Sequence, residues 1–173
     1  MIGRVIDPSI RSIDPAQISP GSSLSHRLLA LNNAHARELS GLEPERLQHL
    51  VRKAFYARRI GELDAFLIAF DQDARYDSPN FLWFRDRYPR FVYVDRIVVA
   101  APVRGRGLAR NLYRDLFARA TAAGHERVVC EVNSNPPNPG SDAFHAALGF
   151  AGVGTAAIHG GAKTVRYLAC PLA

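Results

Sequence analysis

The chain has 173 residues, of which 47% are hydrophobic and 22% charged, as expected for one ordinary globular domain spanning residues 1–173. No apolar run approaches the roughly 20 residues of a membrane span, and the N-terminus lacks the apolar core of a signal peptide, so we expect a cytoplasmic protein that does not enter a membrane. The net charge of +6 favours an anionic partner, such as nucleic acid, acidic lipid or a phosphorylated cofactor.

Hydrophobic periodicity divides the chain into helices and strands. After a short strand and turns within 5–21, the predicted helices cover residues 22–42, a segment from Pro44, a segment after Pro102 that ends at Gly124, and residues 141–150. The predicted strands cover residues 54–61, 63–71, 91–99, 127–132, 151–158 and 164–170. Residues 73–90 predict a loop with a short helix, and residues 133–141 predict a turn-rich loop. This order predicts a mixed α/β (α+β) sheet with helices on its faces.

Neither cysteine of the chain belongs to a CxxC pair or to a Cys/His spacing that would bind zinc. Cys130 and Cys170 both lie in apolar segments of predicted strands. We therefore expect two buried, reduced thiols and no metal site.

The most informative segment is IVVAAPVRGRGLARNLYRDLF, residues 97–117, in which a strand ends and a helix begins at two glycines. The start of a helix presents N–H groups and the positive end of the helix dipole. Glycines there let a diphosphate approach the backbone, and arginines add charge-assisted hydrogen bonds. We therefore predict a pyrophosphate-binding loop formed by Arg104, Gly105, Arg106, Gly107, Leu108 and Ala109.

The glycine pattern excludes two other phosphate-binding motifs. The segment lacks the Gly-Lys-Ser/Thr ending of a Walker loop, and it lacks the third glycine and the acidic residue of a dinucleotide fingerprint. The remaining alternative is an arginine- and glycine-rich turn that only begins a helix.

The same segment resembles motif A of the GNAT superfamily of N-acetyltransferases, in which Arg or Gln precedes a Gly by three residues and a further Gly or Ala by five. Arg104, Gly107 and Ala109 occupy those positions. The strand before the motif is similar to the fourth strand of that family, whose backbone binds the pantetheine arm of coenzyme A. The resemblance places Ile97, Val98 and Val99 there.

A second segment, NPGSDAFHAALGF at 138–150, resembles a downstream pattern of the same family. By that resemblance Asn138 would bind the pantetheine arm and Ser141 would lie beside the cofactor. His145 stands where the family usually has a Tyr that is proposed to protonate the leaving thiolate of coenzyme A. An imidazole could donate that proton, and the alternative is a histidine that only packs near the cofactor.

The resemblance implies a fold and an activity. The implied fold is a mixed, mostly antiparallel central sheet of about six to seven strands, flanked by helices, with a splay between the fourth and fifth strands. The implied activity is acetyl-CoA-dependent transfer of an acetyl group to a primary amine of a small molecule or peptide, by direct attack in a ternary complex. The match is clearest over residues 90–150 and weak over residues 1–50, and no motif identifies the acceptor.

Transfer to an amine also needs a base, for which two carboxylates are candidates. In an extended strand Asp95 would share a face with Tyr93, so its carboxylate would lie among apolar neighbours. The alternative for Asp95 is an ion pair with Arg96 or Arg59. Glu131 on the following strand is the second candidate, since neighbouring strands can present both carboxylates to one cleft.

Several aromatic residues lie before and within the predicted strand 91–99. Four of them are the candidate substrate-binding residues, Phe81, Trp83, Phe84 and Tyr93. These side chains could wall the acceptor pocket or form a lid over it. A hydrophobic plug and a dimer contact are the equal alternatives for the loop.

Two other functions compete with the enzyme. A non-catalytic module that binds or senses acyl-CoA would keep the cofactor loop, and the unusual His145 is compatible with it. A basic nucleic-acid-binding domain would fit the net charge, but no aromatic–basic pattern or helix-turn-helix signature supports it. We therefore expect acetyl-CoA and an amine acceptor as partners, no nucleic acid, and the homodimer that small enzymes of this class often form.

Overall fold

The computed structural model describes residues 7–37 and 39–173. The described strands are β1 (Ile10–Ser12), β2 (Tyr56–Ile60), β3 (Ala65–Asp71), β4 (Val92–Val99), β5 (Arg127–Asn135), β6 (Ala151–Ile158) and β7 (Lys163–Pro171). The described helices are α1 (Ser23–Asn33), α2 (Pro44–Lys53), α3 (Pro79–Arg85), α4 (Leu108–Ala122) and α5 (Pro139–Ala147). Parts of two predicted segments, at residues 5–6 and at Glu38, lie outside the described residues.

The seven strands form one mixed sheet in the order β1-β2-β3-β4-β5-β7-β6. The β1–β2, β2–β3, β5–β7 and β6–β7 pairs are antiparallel, and β4 runs parallel to β5. The parallel ladder joins Val92 to Val128 and Tyr93 to Val129, at the start of two longer strands. A ladder this short is what a splay between the fourth and fifth strands predicts, and the sheet confirms the predicted fold class.

The described chain forms two compact units. The first contains the residues up to Phe70 together with Asp95–Leu116, and the second contains Asp71–Val94 together with Phe117–Ala173. Strand β4 passes from the second unit to the first between Val94 and Asp95. That the whole chain is one domain stays a prediction.

In the first unit, α1 begins as predicted but is shorter than predicted. The hydroxyl of Ser22 accepts a hydrogen bond from the Ser25 N–H and caps the helix, which ends at Asn33 rather than near residue 42. The Asn33 side chain explains this end, because its amide donates to Leu42 O at 3.0 Å and its oxygen accepts from Leu42 N at 2.8 Å. These two bonds hold Leu42, which lies just before α2, against the end of α1.

In the second unit, the sheet extends further than predicted. Strand β5 runs to Asn135 instead of residue 132, and α5 begins at Pro139, so the predicted loop 133–141 shrinks to a few residues. The structure confirms the other predicted strands, the short helix at α3, and the helix ends before Gly124 and Gly149. Both glycines have positive φ. Both cysteines are buried and free, as predicted.

Candidate active site

The loop between β4 and α4 carries the predicted pyrophosphate contacts. After a short 3-10 turn at Ala101–Val103, the residues from Arg104 to Gly107 are exposed, and the buried side chain of Leu108 anchors the start of α4. Gly105 and Gly107 have φ of 75° and 77°, and a Cβ on either would meet no atom within 4 Å. Glycine is therefore favoured here by the positive φ of the backbone and not by a close neighbour. The space beside both glycines is open.

The loop carries two exposed cations, Arg104 and Arg106. The Arg104 guanidinium lies 3.1 and 3.3 Å from the ring nitrogens of His35, and its Nε lies 3.4 Å from Val99 O. Arg106 is exposed on the same loop. The first backbone N–H groups of α4 have no acceptor one turn earlier in the helix. Exposed guanidinium groups beside a helix start match the donors that a diphosphate requires.

Buried and partly exposed side chains alternate along β4 at residues 97–99, whose backbone is predicted to bind the pantetheine arm. Val98 is buried, whereas Ile97 and Val99 are partly exposed. This alternation fits the period of two of a strand. The structure therefore places Ile97 and Val99 on one side of β4 and Val98 on the other.

Asp95 on the same strand forms a buried ion pair. Its Oδ2 accepts from Arg96 Nε at 2.7 Å, and the two side chains are 5% and 4% exposed. Arg96 Nη1 also donates to Asn32 Oδ1 at 2.8 Å. The alternative reading of Asp95, an ion pair with Arg96, is therefore the one seen, and this pair ties β4 to the end of α1.

In the second unit, Glu131 is the centre of a polar network. Its Oε1 accepts from the Tyr93 hydroxyl at 3.0 Å and from Asn80 Nδ2 at 2.9 Å. Asn80 Oδ1 in turn accepts from the Tyr167 hydroxyl at 2.9 Å. Glu131 and Tyr167 face each other in the β5–β7 ladder, which brings both side chains to one face of the sheet.

The phenol of Tyr167 is held in its protonated form. Burial raises the pKa of Tyr167, and the nearby Glu131 charge raises it further, although Arg87 acts in the opposite direction. Tyr167 therefore remains a hydrogen-bond donor at neutral pH. The ring lies against Trp83, with centroids 4.2 Å apart and planes 23° apart, so the hydroxyl is also fixed in position.

The predicted aromatic residues separate into two groups. Phe81 and Phe84 are fully buried, and each ring lies within 6 Å of the Tyr93 ring. Among the alternatives for the loop, this burial favours the hydrophobic plug for Phe81 and Phe84 over a pocket wall. Trp83 is only partly buried and is stacked between Tyr167 and the guanidinium of Arg87, whose Cζ lies 3.8 Å from the indole centroid.

Helix α5 carries the second predicted cofactor segment. Asn138 caps the helix, because its side-chain oxygen accepts from the Ser141 N–H at 3.2 Å. Ser141 O lies 2.8 Å from His145 Nδ1, and Ser141 Oγ lies 3.2 Å from the same nitrogen. Asn138 and Ser141 are partly exposed.

His145 is buried and neutral. A carbonyl oxygen can only accept, so the short contact to Ser141 O assigns a proton to Nδ1. Burial lowers the pKa of His145, while the Ser141 carbonyl and the Asp142 charge oppose the change. Phe144 and Phe150 pack edge-on against the ring. The geometry therefore favours a packed, neutral imidazole over a proton donor at neutral pH, and the acid role stays a prediction.

The sequence model of the acetyltransferase (GNAT) family matches residues 45–150. The chain belongs to this family. Acetyl-CoA is the cosubstrate of these acetyltransferases, and the exposed glycine loop before α4 stays the predicted site of its diphosphate. A search of curated proteins gave no match.

Solved structures of other acetyltransferases share the fold at low sequence identity. A ribosomal-protein-alanine N-acetyltransferase from Brucella melitensis is 17% identical, with a TM-score of 0.69 and coverage of 95% of this chain and 99% of that chain. The Salmonella typhimurium protein yncA, solved with its cofactor acetyl-CoA, is 16% identical, with a TM-score of 0.69 and coverage of 98% and 95%. The NatC complex bound to Gag peptide and CoA is 12% identical, with a TM-score of 0.68 and coverage of 95% and 98%.

Two residues of the Glu131 network were not predicted from the sequence. Asn80 and Tyr167 belong to no motif, and they lie 51 and 36 positions from Glu131 along the chain. A possible signal for Asn80 was its place just after Pro79, at the start of a helix in an aromatic segment. Tyr167 carried no signal beyond its position in a predicted strand, because its role depends on the β5–β7 register.

Residues 7–37 and 39–173 contain no group of three or more His, Cys, Asp or Glu side chains arranged to hold a metal ion. None of the described helices is long and apolar enough to cross a membrane.

Proposed function

We propose that this acetyltransferase transfers the acetyl group of acetyl-CoA to the primary amine of a small molecule or peptide, by direct attack in a ternary complex with Glu131 as the base. The observation that carries the proposal is the Glu131 carboxylate, which Tyr93 and Asn80 hold in one orientation. A general base must be positioned before its basicity matters. Glu131 was the second candidate from the sequence, and the Asp95–Arg96 pair makes it the first.

The first unit supplies the cofactor contacts of the proposal. Arg104, Arg106 and the first N–H groups of α4 would bind the diphosphate of coenzyme A. The β4 backbone at Ile97–Val99 would bind the pantetheine arm, and the bound cofactor would supply the acetyl thioester. By the family resemblance of residues 138–150, Asn138 would bind the pantetheine arm, and Ser141 would lie beside the cofactor.

Acetylation of an ammonium ion requires the removal of two protons, and Glu131 would accept the first of them. Most primary amines enter as ammonium ions, and only the neutral amine can attack the thioester carbonyl. Glu131 would take one proton directly or through water, the new amide bond would form as the carbon–sulfur bond breaks, and the second amine proton would pass through water to the leaving thiolate. The sum is an acetylated amine, free coenzyme A as its thiol, and one proton released.

Activity can be tested with an unbiased panel of primary amines that includes small polyamines and peptides with free N-termini. Thiol release from acetyl-CoA and a mass gain of one acetyl group would report turnover. We expect Glu131→Gln to lower kcat by about 10²- to 10⁴-fold while coenzyme A affinity is kept. Full activity of Glu131→Gln on the best acceptor would exclude Glu131 as the base.

The neutral, packed state of His145 favours one second candidate, an acyl-CoA-binding module without turnover. Its signature would be tight binding of acetyl-CoA with no thiol release on any amine of the panel. Cytoplasmic location, the absence of a nucleic-acid partner and the homodimer also stay predictions. Sedimentation velocity would test the homodimer directly.

A further inference from the structure

We propose that Asn80 is a positioning residue. Its amide orients the Glu131 carboxylate, and the Tyr167 hydroxyl in turn orients that amide. The inference rests on the proposed function, because it concerns the carboxylate assigned there as the base. Asn80 uses both ends of its amide: Nδ2 donates to Glu131 Oε1 and Oδ1 accepts from the Tyr167 hydroxyl, each at 2.9 Å. One neutral side chain thus connects a carboxylate to a phenol.

The direction of the amide follows from its two neighbours. A carboxylate oxygen that accepts from Tyr93 requires a donor from Asn80, so Nδ2 must face Glu131. Burial raises the pKa of Tyr167, which keeps its proton and therefore donates to Oδ1. The opposite orientation of the amide would place Oδ1 against the Glu131 carboxylate, so that two hydrogen-bond acceptors would face each other.

Helix α3 is held in the position that this contact needs. Asn80 and Trp83 are three residues apart, so they lie on neighbouring positions of one helical face. Trp83 stacks on the Tyr167 ring while Asn80 accepts from its hydroxyl. The helix thereby contacts Tyr167 at two points, and a shift of α3 would break the bond to Glu131 as well.

The sheet register completes the arrangement. Tyr167 lies opposite Glu131 in the β5–β7 ladder and opposite Gly154 in the β6–β7 ladder. These three residues form a row across the sheet, and Trp83 covers its Gly154 end. Asn80 therefore reaches Glu131 for two reasons. The registers of β5, β7 and β6 form this row, and α3 packs on it through Trp83.

The chemistry predicts a pH signature. A neutral amide donor favours the charged form of the carboxylate that it contacts. Asn80→Asp would place a second carboxylate beside Glu131, and two acidic groups at that separation share a proton and titrate as a pair. The acidic limb of the kcat/KM profile should therefore move upward by about one pH unit or more.

The test uses four variants of the full chain, with acetyl-CoA and the best amine of the panel. We expect Asn80→Asp and Asn80→Ala to shift the acidic limb upward, with the larger shift for Asn80→Asp, and to lower kcat about tenfold. Tyr167→Phe should cause a smaller shift in the same direction. Tyr88→Phe removes a hydroxyl near the end of α3 and should leave the profile unchanged.

A second readout needs no acceptor. Glutamate labelled with ¹³C at the side-chain carboxyl can be titrated by NMR in the wild type and in Asn80→Asp, with Glu131→Gln used to assign the signal. We expect the Glu131 midpoint to rise in Asn80→Asp while coenzyme A affinity stays near the wild-type value. An unchanged midpoint in a folded Asn80→Asp protein overturns the inference.

The experiments distinguish a wrong assignment of Glu131 as the base from a wrong assignment of Asn80 as the positioning residue. If Glu131→Gln keeps full activity, the assignment of the base is wrong, whatever the Asn80 variants show. If Glu131→Gln is inactive but the Asn80 variants keep the wild-type pH profile and midpoint, Asn80 is a structural residue only and the proposed function stands.

Discussion

Gly154→Ala should displace the single tryptophan of the chain and weaken the support of the candidate base. A Cβ built on Gly154 would lie 2.5 Å from Trp83 Cζ2 and 2.8 Å from Cη2. These distances fall about 1 Å below ordinary carbon–carbon contact. The indole cannot yield easily, because Tyr167 packs on it at 4.2 Å and the Arg87 guanidinium lies 3.8 Å from its centroid.

The size of the effect follows from overpacking a rigid contact. Forcing a methyl group into a filled site costs about 1–3 kcal/mol in the free energy of unfolding. For a chain of this length each kcal/mol lowers the melting temperature by about 2–4 °C, so a fall of about 4–8 °C is expected for a cost of about 2 kcal/mol. Activity should fall as well, because a displaced Trp83 releases the Tyr167 ring whose hydroxyl contacts Asn80.

Thermal unfolding and intrinsic fluorescence would measure both consequences. Trp83 is the only tryptophan, so its emission reports this site alone, and we expect a red shift as the ring becomes more exposed. Gly152→Ala is the matched control, because it adds the same methyl to the same strand and meets its nearest atom at 3.8 Å. If both variants melt at one temperature with the wild-type spectrum, the reasoning about Trp83 is refuted.

Three further predictions concern the loop, the ion pair and the buried histidine. Arg104→Ala should weaken coenzyme A binding about tenfold in calorimetry but leave the affinity for pantetheine, which lacks the diphosphate, unchanged; equal losses would contradict the predicted loop. Asp95→Asn should lower the free energy of unfolding by about 3–5 kcal/mol, because it leaves the Arg96 charge buried without its carboxylate; a stable variant with lost activity would instead restore Asp95 as the base. Burial lowers the pKa of His145, so the unfolded chain binds the extra proton first as pH falls through the ordinary value of 6.5. Stability should therefore drop below that pH, and His145→Asn should reduce this slope in melting curves recorded from pH 8 to pH 5.

The cofactor half of the site was predictable because its signals are local. A strand, two glycines with positive φ and a helix start lie within one short segment, and the requirement for glycine is a property of the backbone there. Helix caps at Ser22 and helix ends at Gly124 follow the same logic, since each depends on neighbours a few residues away.

The choice between the two carboxylates was not predictable in the same way. The sequence allowed Asp95 either an apolar face or an arginine partner, and only the folded position of Arg96 beside Asn32 selected the ion pair. The aromatic segment had the same ambiguity, which the burial of Phe81 and Phe84 resolved in favour of a core role.

What the sequence by itself determined is the family, the order of elements and the glycine loop, because short-range periodicity and backbone preference determine them. What only the tertiary structure decided is the network of Glu131, Asn80 and Tyr167. These residues meet through the pairing of β5 with β7 and the packing of α3, and long-range register arises from the whole sheet rather than from any segment.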